Sequence, residues 1–177
     1  MSYFEDLSRY SYDKIVAEAC PAINVGWLGA NHAFSTEQSN ENVLDALWQY
    51  CLILALPTRG LHLCELCAAP SSAFARHGTR LLLGSGEIRV FGTNGDVFAA
   101  PNLIYHYVSD HHYRPPGEFL QAVEGGASPA SEEYRGSLNR LGIRWRENPP
   151  LANEPTQFRF VRTERGIERE EVKGRRR

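Results

Sequence analysis

The stretch Gly60-Leu61-His62-Leu63-Cys64-Glu65-Leu66-Cys67 carries the strongest structural signal in the sequence. Its CxxC pair lets a single turn of backbone place two thiolates on one ion. Zinc binds thiolate and imidazole ligands, usually four in a tetrahedral arrangement. A redox CxxC would instead require a βαβ setting with the pair opening a helix. The stretch therefore predicts a zinc knuckle at Cys64 and Cys67.

Two histidines downstream of the knuckle are candidates for the remaining ligands. His106 and His111 lie on or beside a predicted helix, and their spacing falls within the interval typical of Cys2His2 sites. Because such a spacing does not keep both on one face of an ideal helix, His111 is predicted where the helix unwinds before Pro115. His62 is a rival ligand, or a residue that hydrogen-bonds to a ligand. The predicted zinc site is thus Cys64, Cys67, His106 and His111, with His62 as the alternative.

A long amphipathic helix is predicted immediately before the knuckle. Ser39 or Asn40 can cap its start, and Pro57 ends it. Its apolar residues recur at spacings of three and four, the pattern of a buried helical stripe. They are Val43, Leu44, Leu47, Trp48, Cys51, Leu54 and Ala55.

After the knuckle the pattern changes to short strands and then to helices. The Asn94-Gly95 pair favours a hairpin turn, because these residues tolerate a positive φ. Strands are predicted over residues 80–83, 87–91, 96–99, 143–145 and 158–161, and helices over residues 101–108, 118–123 and 131–141.

The order of knuckle, hairpin and helix is that of treble-clef-like zinc modules. We therefore predict an α+β fold, a single domain with helices around a small antiparallel sheet and a treble-clef-like zinc knuckle–hairpin–helix unit. The zinc-containing domain is expected to span residues 1–147. Residues 148–177 are expected to form a linker, an edge strand and a charged tail. A chain of 177 residues is long enough to bury a real core.

The composition limits the classes of partner. The net charge of −2 argues against general electrostatic attraction to nucleic acid or to acidic membranes. No apolar stretch approaches the roughly 18 residues of a membrane span. The N-terminus lacks a secretory signal, so a cytoplasmic location is expected. The tail ends in three arginines, Arg175 to Arg177, and nucleic-acid binding through them is a weaker alternative to a protein partner.

The sequence contains few of the motifs that are typical of zinc enzymes. Glu65 lies inside the CxxC pair, and the His-x-Glu pair of zinc deaminases is absent. The other cysteines, Cys20 and Cys51, are expected in the core. We favour a zinc-binding protein with a structural metal site that acts as a protein-interaction module. The alternative is a zinc-dependent hydrolase or deaminase-like enzyme with an open metal position, so whether the protein is an enzyme stays open.

Several short segments are distinctive when they are taken together. They are residues 4–8 (FEDLS), 24–28 (NVGWL), 60–67 (GLHLCELC), 86–90 (GEIRV) and 100–108 (APNLIYHYV), with His111, Tyr113, Pro115-Pro116 and Phe119 beyond them. In these segments the chain resembles an uncharacterised bacterial family, a domain of unknown function, over about its first 125 residues. The resemblance implies no reaction. It places the five candidate ligands within the family's own motif segments.

Overall fold

The computed structural model describes residues 2–58 and 60–152, together with the backbone of residues 157–163 and 166–172. None of the helices in this part of the chain is both long and apolar enough to cross a membrane. Combined with the strands, the helices form an α+β fold, as predicted. They are α1 (Lys14–Ala19), α2 (Glu41–Tyr50), α3 (Ile104–Asp110), α4 (Gly117–Gly125) and α5 (Glu132–Arg140).

The strands form one large sheet and two hairpins. They are β1 (Ile23–Asn24), β2 (Ile53–Ala55), β3 (Ala73–Arg76), β4 (Thr79–Leu82), β5 (Glu87–Phe91), β6 (Val97–Pro101), β7 (Trp145–Glu147), β8 (Gln157–Thr163) and β9 (Gly166–Val172). The sheet has the order β1-β6-β5-β2-β7, and β3–β4 and β8–β9 pair separately. Because β1 runs parallel to β6, the sheet is mixed and the prediction of an antiparallel sheet is wrong at this edge.

Helix α2 begins as predicted and ends earlier than predicted. Asn40 caps it, because its side-chain oxygen accepts a hydrogen bond from the N–H of Val43 at 2.9 Å. The helix ends at Tyr50, and Ile53–Ala55 forms strand β2 between β5 and β7. The predicted continuation of the helix through Ala55 is therefore wrong. Every residue of β2 is buried, and a short apolar run without alternation does not distinguish a buried strand from a helix.

Replacing Asn40 with alanine is expected to lower the free energy of unfolding by about 1 kcal/mol. The N–H of Val43 then loses its acceptor at the start of α2. Asn40→Asp keeps an acceptor at that position and is the matched control, expected to stay close to the wild type. Urea unfolding of both variants measures the difference, and equal stability of Asn40→Ala and wild type would contradict the capping role.

One hairpin after the knuckle was predicted and another was not. β5 and β6 pair antiparallel around a turn that contains Gly95 at φ 93°, which confirms the first. Pro101 ends β6 and α3 begins only at Ile104, so the predicted helix start at Pro101 is wrong. The hairpin β3–β4 turns at His77 and Gly78, both at positive φ. β4 corresponds to the strand predicted over residues 80–83, whereas β3 is short and only partly buried and carries little apolar alternation.

The two faces of the large sheet are covered by different parts of the chain. Ile88 and Val90 of β5 belong to the main core, which they share with residues of α2, α3 and α4. On the other face Tyr10 and Trp27 pack with Ala99 of β6 in a second cluster. The indole N–H of Trp27 donates to the carbonyl of Ala99 at 3.0 Å. The N-terminal residues therefore form a layer of their own over the sheet.

A buried ion pair lies beneath this N-terminal layer. Glu87 and Arg89 are two residues apart on β5, so their side chains lie on the same face of the sheet. Arg89 Nη1 donates to Glu87 Oε2 at 2.6 Å, and the two residues are 0% and 2% exposed. The hydroxyl of Tyr10 donates to Glu87 Oε1 at 2.9 Å, and its ring centroid lies 4.8 Å from Arg89 Cζ. Each buried charge is thus compensated by the other.

The C-terminal part adds strand β7 to the large sheet, and β8 and β9 then pair with each other outside it. Ser131 caps α5 and Gly142 follows it at φ 65°, so α5 lies within the helix predicted over residues 131–141. β7 pairs with β2 and lies slightly later than the strand predicted over residues 143–145. β8 contains the strand predicted over residues 158–161 and pairs with β9. The terminal arginines, residues 175–177, lie outside the described residues, so the nucleic-acid alternative stays a prediction.

Candidate metal centre

The segment that precedes the knuckle is held against the turn between β4 and β5. The N–H of His62 donates to the carbonyl of Gly84 at 2.8 Å. Gly84 has φ 88°, and a Cβ at this position would clash with the carbonyl oxygen of His62. The chain then turns at Cys64, whose Sγ accepts from the N–H of Leu66 at 3.3 Å. The close approach at Gly84 therefore fixes where the two cysteines lie.

Replacing Gly84 with alanine is expected to destabilise the fold and weaken metal binding. The left-handed backbone costs about 1–2 kcal/mol for a non-glycine residue, and displacing His62 adds about 1–3 kcal/mol. Gly78→Ala is the matched control, because Gly78 has φ 74° with nothing near its missing Cβ. Urea unfolding of both variants separates the clash from the backbone strain. Equal losses in the two variants would contradict a role for Gly84 in holding the knuckle.

The two histidines come from the end of α3. His106 lies inside the helix and is 3% exposed. The helix ends at Asp110, so His111 lies just beyond it with φ −102° and ψ 1°, as its spacing from His106 predicted. This change of backbone direction brings both imidazoles to the same point. The Nε2 atoms of the two rings are 3.2 Å apart.

The knuckle and α3 bring together four of the five predicted ligands. The Sγ atoms of Cys64 and Cys67 and the Nε2 atoms of His106 and His111 all lie within 4.8 Å of one another. Three of the four sulfur–nitrogen pairs are in contact, at 3.2–3.3 Å. A tetrahedral zinc ion with ordinary bond lengths would separate sulfur from nitrogen by about 3.5 Å and two nitrogens by about 3.3 Å. The four measured separations are therefore within about 0.3 Å of those that one tetrahedral ion requires.

Two residues that the sequence prediction did not include complete the surroundings of His106. Asp110 Oδ2 lies 2.5 Å from His106 Nδ1, four residues along the same helix. The ring of Phe74, from the unpredicted strand β3, packs on the His106 ring with centroids 4.6 Å apart. Asp110 could have been identified from the sequence, because it lies four residues after His106 of the predicted helix. Phe74 had none, because β3 was not predicted.

Burial alters the acid–base chemistry of the site. Cys64 is 2% exposed, and burial raises the pKa of its thiol above the usual value. Burial also lowers the pKa of the His111 imidazole. Both shifts favour uncharged side chains. Neutral imidazole is the form that binds metals, whereas each thiol has to give up its proton to a bound cation.

The rival ligand, His62, lies outside the group of four donors. Its backbone holds the knuckle against Gly84, and its neighbours Leu61 and Leu63 are each 44% exposed. Cys20 and Cys51 are buried at 1% and 0% exposure, which confirms that they are core residues.

The remaining histidines have other surroundings. His32 stacks on Tyr3 with ring centroids 3.5 Å apart. His77 contacts Asp45 at 2.6 Å. His112 is exposed at the surface.

Comparison with known proteins identifies the family and assigns no activity. No curated protein and no solved structure matches the chain. A family described as a domain of unknown function, DUF7919, matches residues 2–124. The matched range contains the four clustered residues and His62, and it agrees with the resemblance seen in the sequence. The chain therefore belongs to the family of this domain of unknown function, DUF7919.

Proposed function

We propose that the protein binds one zinc ion through Cys64, Cys67, His106 and His111, and that this ion stabilises a protein-interaction domain. The observation that carries the proposal is the convergence of two Sγ and two Nε2 atoms within 4.8 Å. Two thiolates and two imidazoles in tetrahedral arrangement are the donor set that favours zinc over harder cations, which prefer oxygen ligands.

The ligand count favours a structural metal over a catalytic one. Catalytic zinc sites keep one position for water, whereas four protein ligands fill a tetrahedral ion. The enzymatic alternative, a zinc-dependent hydrolase or deaminase-like protein, requires one of the four residues to leave the metal. His106 is poorly suited to leave, because it is 3% exposed and the ring of Phe74 packs on it. The geometry therefore supports a closed site.

Two exposed leucines support the interaction role. Leu61 and Leu63 alternate with His62 along the extended approach to the knuckle, and 44% of each is exposed. Few large apolar side chains are this accessible in the described residues, and two of them flank the candidate metal site. A metal that fixes the knuckle would hold both leucines in place. We propose that a protein partner contacts them.

The metal content of the purified full-length protein tests the proposal. We expect about one zinc per chain by elemental analysis, as for a single Cys2His2 site. Cobalt substitution is expected to give the visible absorption of a tetrahedral sulfur and nitrogen site. Cys67→Ser should lose both results. Cys51→Ser is the matched control, because its hydroxyl can still donate to the Asn102 carbonyl that the Cys51 thiol contacts at 3.4 Å.

A metal content near zero in the wild type would overturn the zinc proposal. The interaction role has its own test, a double variant with Leu61→Ser and Leu63→Ser. It should keep its zinc and its thermal stability and should lose a partner that the wild type retains. A double variant that keeps every partner would overturn the role of these leucines while leaving the metal proposal standing.

A further inference from the structure

The carboxylate of Asp110 lies directly behind one member of the metal cluster. Its Oδ2 is 2.5 Å from Nδ1 of His106, and His106 Nε2 faces Cys67 Sγ at 3.2 Å on the other side of the ring. The Ser109 hydroxyl donates to the second carboxylate oxygen, Asp110 Oδ1, at 3.1 Å. The imidazole is thus held from behind while its other nitrogen points at the cluster.

This contact determines which nitrogen of His106 carries the proton. A carboxylate can only accept, so the hydrogen bond to Asp110 requires a proton on Nδ1 of His106. In the neutral ring Nε2 is then an unprotonated acceptor. That nitrogen is the atom that faces the sulfurs of the cluster. The side chain of Asp110 therefore selects the tautomer that can bind a metal through Nε2.

The position of Asp110 in its helix is unfavourable by the ordinary electrostatics of helices. It is the last residue of α3, where the helix dipole presents partial negative charge. An acidic residue there destabilises an isolated helix, and its removal alone should be neutral or slightly stabilising. Its side chain is also 54% exposed, so it contributes little buried surface. The stability of the helix therefore does not explain an acidic residue at this position. The contact of Asp110 with His106 does.

We propose that Asp110 is a positioning residue for the metal, which fixes the tautomer and orientation of His106. This inference rests on the proposed function, since it requires that the cluster binds an ion. Carboxylates that hydrogen-bond to a ligating histidine act in this way, and their loss typically weakens metal binding about 10–100-fold.

Competition between the zinc-loaded full-length protein and a chelator of known affinity tests the proposal. Asp110→Ala is expected to lower the zinc affinity about 10–100-fold. Asp110→Asn keeps an uncharged acceptor at the same position and is expected to lose less. Glu118→Ala is the matched control, because it removes one exposed carboxylate from another helix and should leave the affinity unchanged. Nitrogen NMR of the zinc-loaded protein supplies a second readout, the chemical shift of His106 Nδ1, which reports its hydrogen bond to the Asp110 side chain and which a loss of stability alone would not change.

The possible results separate the two proposals. Weaker zinc binding by Asp110→Ala, together with a changed chemical shift of His106 Nδ1 and an unaffected Glu118→Ala, supports the positioning role. If the wild type binds zinc and Asp110→Ala binds it equally tightly, the positioning role is overturned alone. If the wild type binds no zinc, the proposed function is overturned and this inference with it.

Discussion

Cys64→Ser is expected to leave the protein without a cooperative unfolding transition at 25 °C. Structural zinc sites contribute about 10–16 kcal/mol of apparent binding free energy that is coupled to folding. Whole domains are stable by only about 5–15 kcal/mol. Loss of one buried thiolate ligand therefore removes a contribution as large as the entire stability. Circular dichroism during a urea titration measures this directly, and adding a strong chelator to the wild type should reproduce it.

The matched control for this prediction is Cys51→Ser. Both thiols are buried, at 2% exposure for Cys64 and 0% for Cys51, and the chemical change is identical. Burying the new hydroxyl at Cys51 costs about 1–3 kcal/mol, so this variant should keep its zinc and a cooperative transition. A Cys64→Ser chain that unfolds as cooperatively as the control, at a similar urea midpoint, would contradict a structural metal.

Glu87→Ala is expected to lower the free energy of unfolding by about 3–5 kcal/mol. The substitution leaves the guanidinium of Arg89 fully buried without its counter-charge and removes the acceptor of the Tyr10 hydroxyl. Replacing both charges with apolar residues, in Glu87→Met combined with Arg89→Met, should restore much of the loss. Such double replacements of buried pairs are often neutral or stabilising, since no uncompensated charge remains. Urea unfolding with a comparison of m values measures all three chains.

An ion pair whose acidic partner is exposed supplies the control for this second prediction. Glu41 contacts Arg76 at 2.8 Å, but its side chain is 77% exposed. Glu41→Ala should therefore change the stability by no more than about 1 kcal/mol. A loss in Glu87→Ala as small as that in Glu41→Ala would contradict the importance of burial. A double variant as unstable as Glu87→Ala would show that shape, rather than charge, dominates at this position.

The sequence signals that succeeded were local ones. The Asn94-Gly95 turn and the cap at Asn40 each depend on a few neighbouring residues, and the structure has both. The convergence of Cys64 and Cys67 with the two helix histidines was also predicted, because each pair carries its own characteristic spacing. Local chemistry of this kind is readable from one chain.

The features that the sequence did not reveal depend on distant contacts. Strand β2 is buried by β5 and β7, which come later in the chain, so its own residues resemble a helix. Tyr10 and Glu87, which are joined by a hydrogen bond, are 77 residues apart in the sequence. The position of His62 depends on its contact with Gly84, which no spacing rule predicts. Each of these outcomes is decided by which segments meet across the fold.

The four clustered residues come from both ends of a long stretch of chain. His106 follows Cys67 by 39 residues, and β3, β4, β5 and β6 all lie between them. An ion bound at both ends would close a polymer loop, in the way that a disulfide does. A crosslink over a loop of this length reduces the chain entropy of the unfolded ensemble by about 4 kcal/mol at 25 °C. Strand β5, at the centre of the sheet, would then form within a closed loop of chain instead of within an open one.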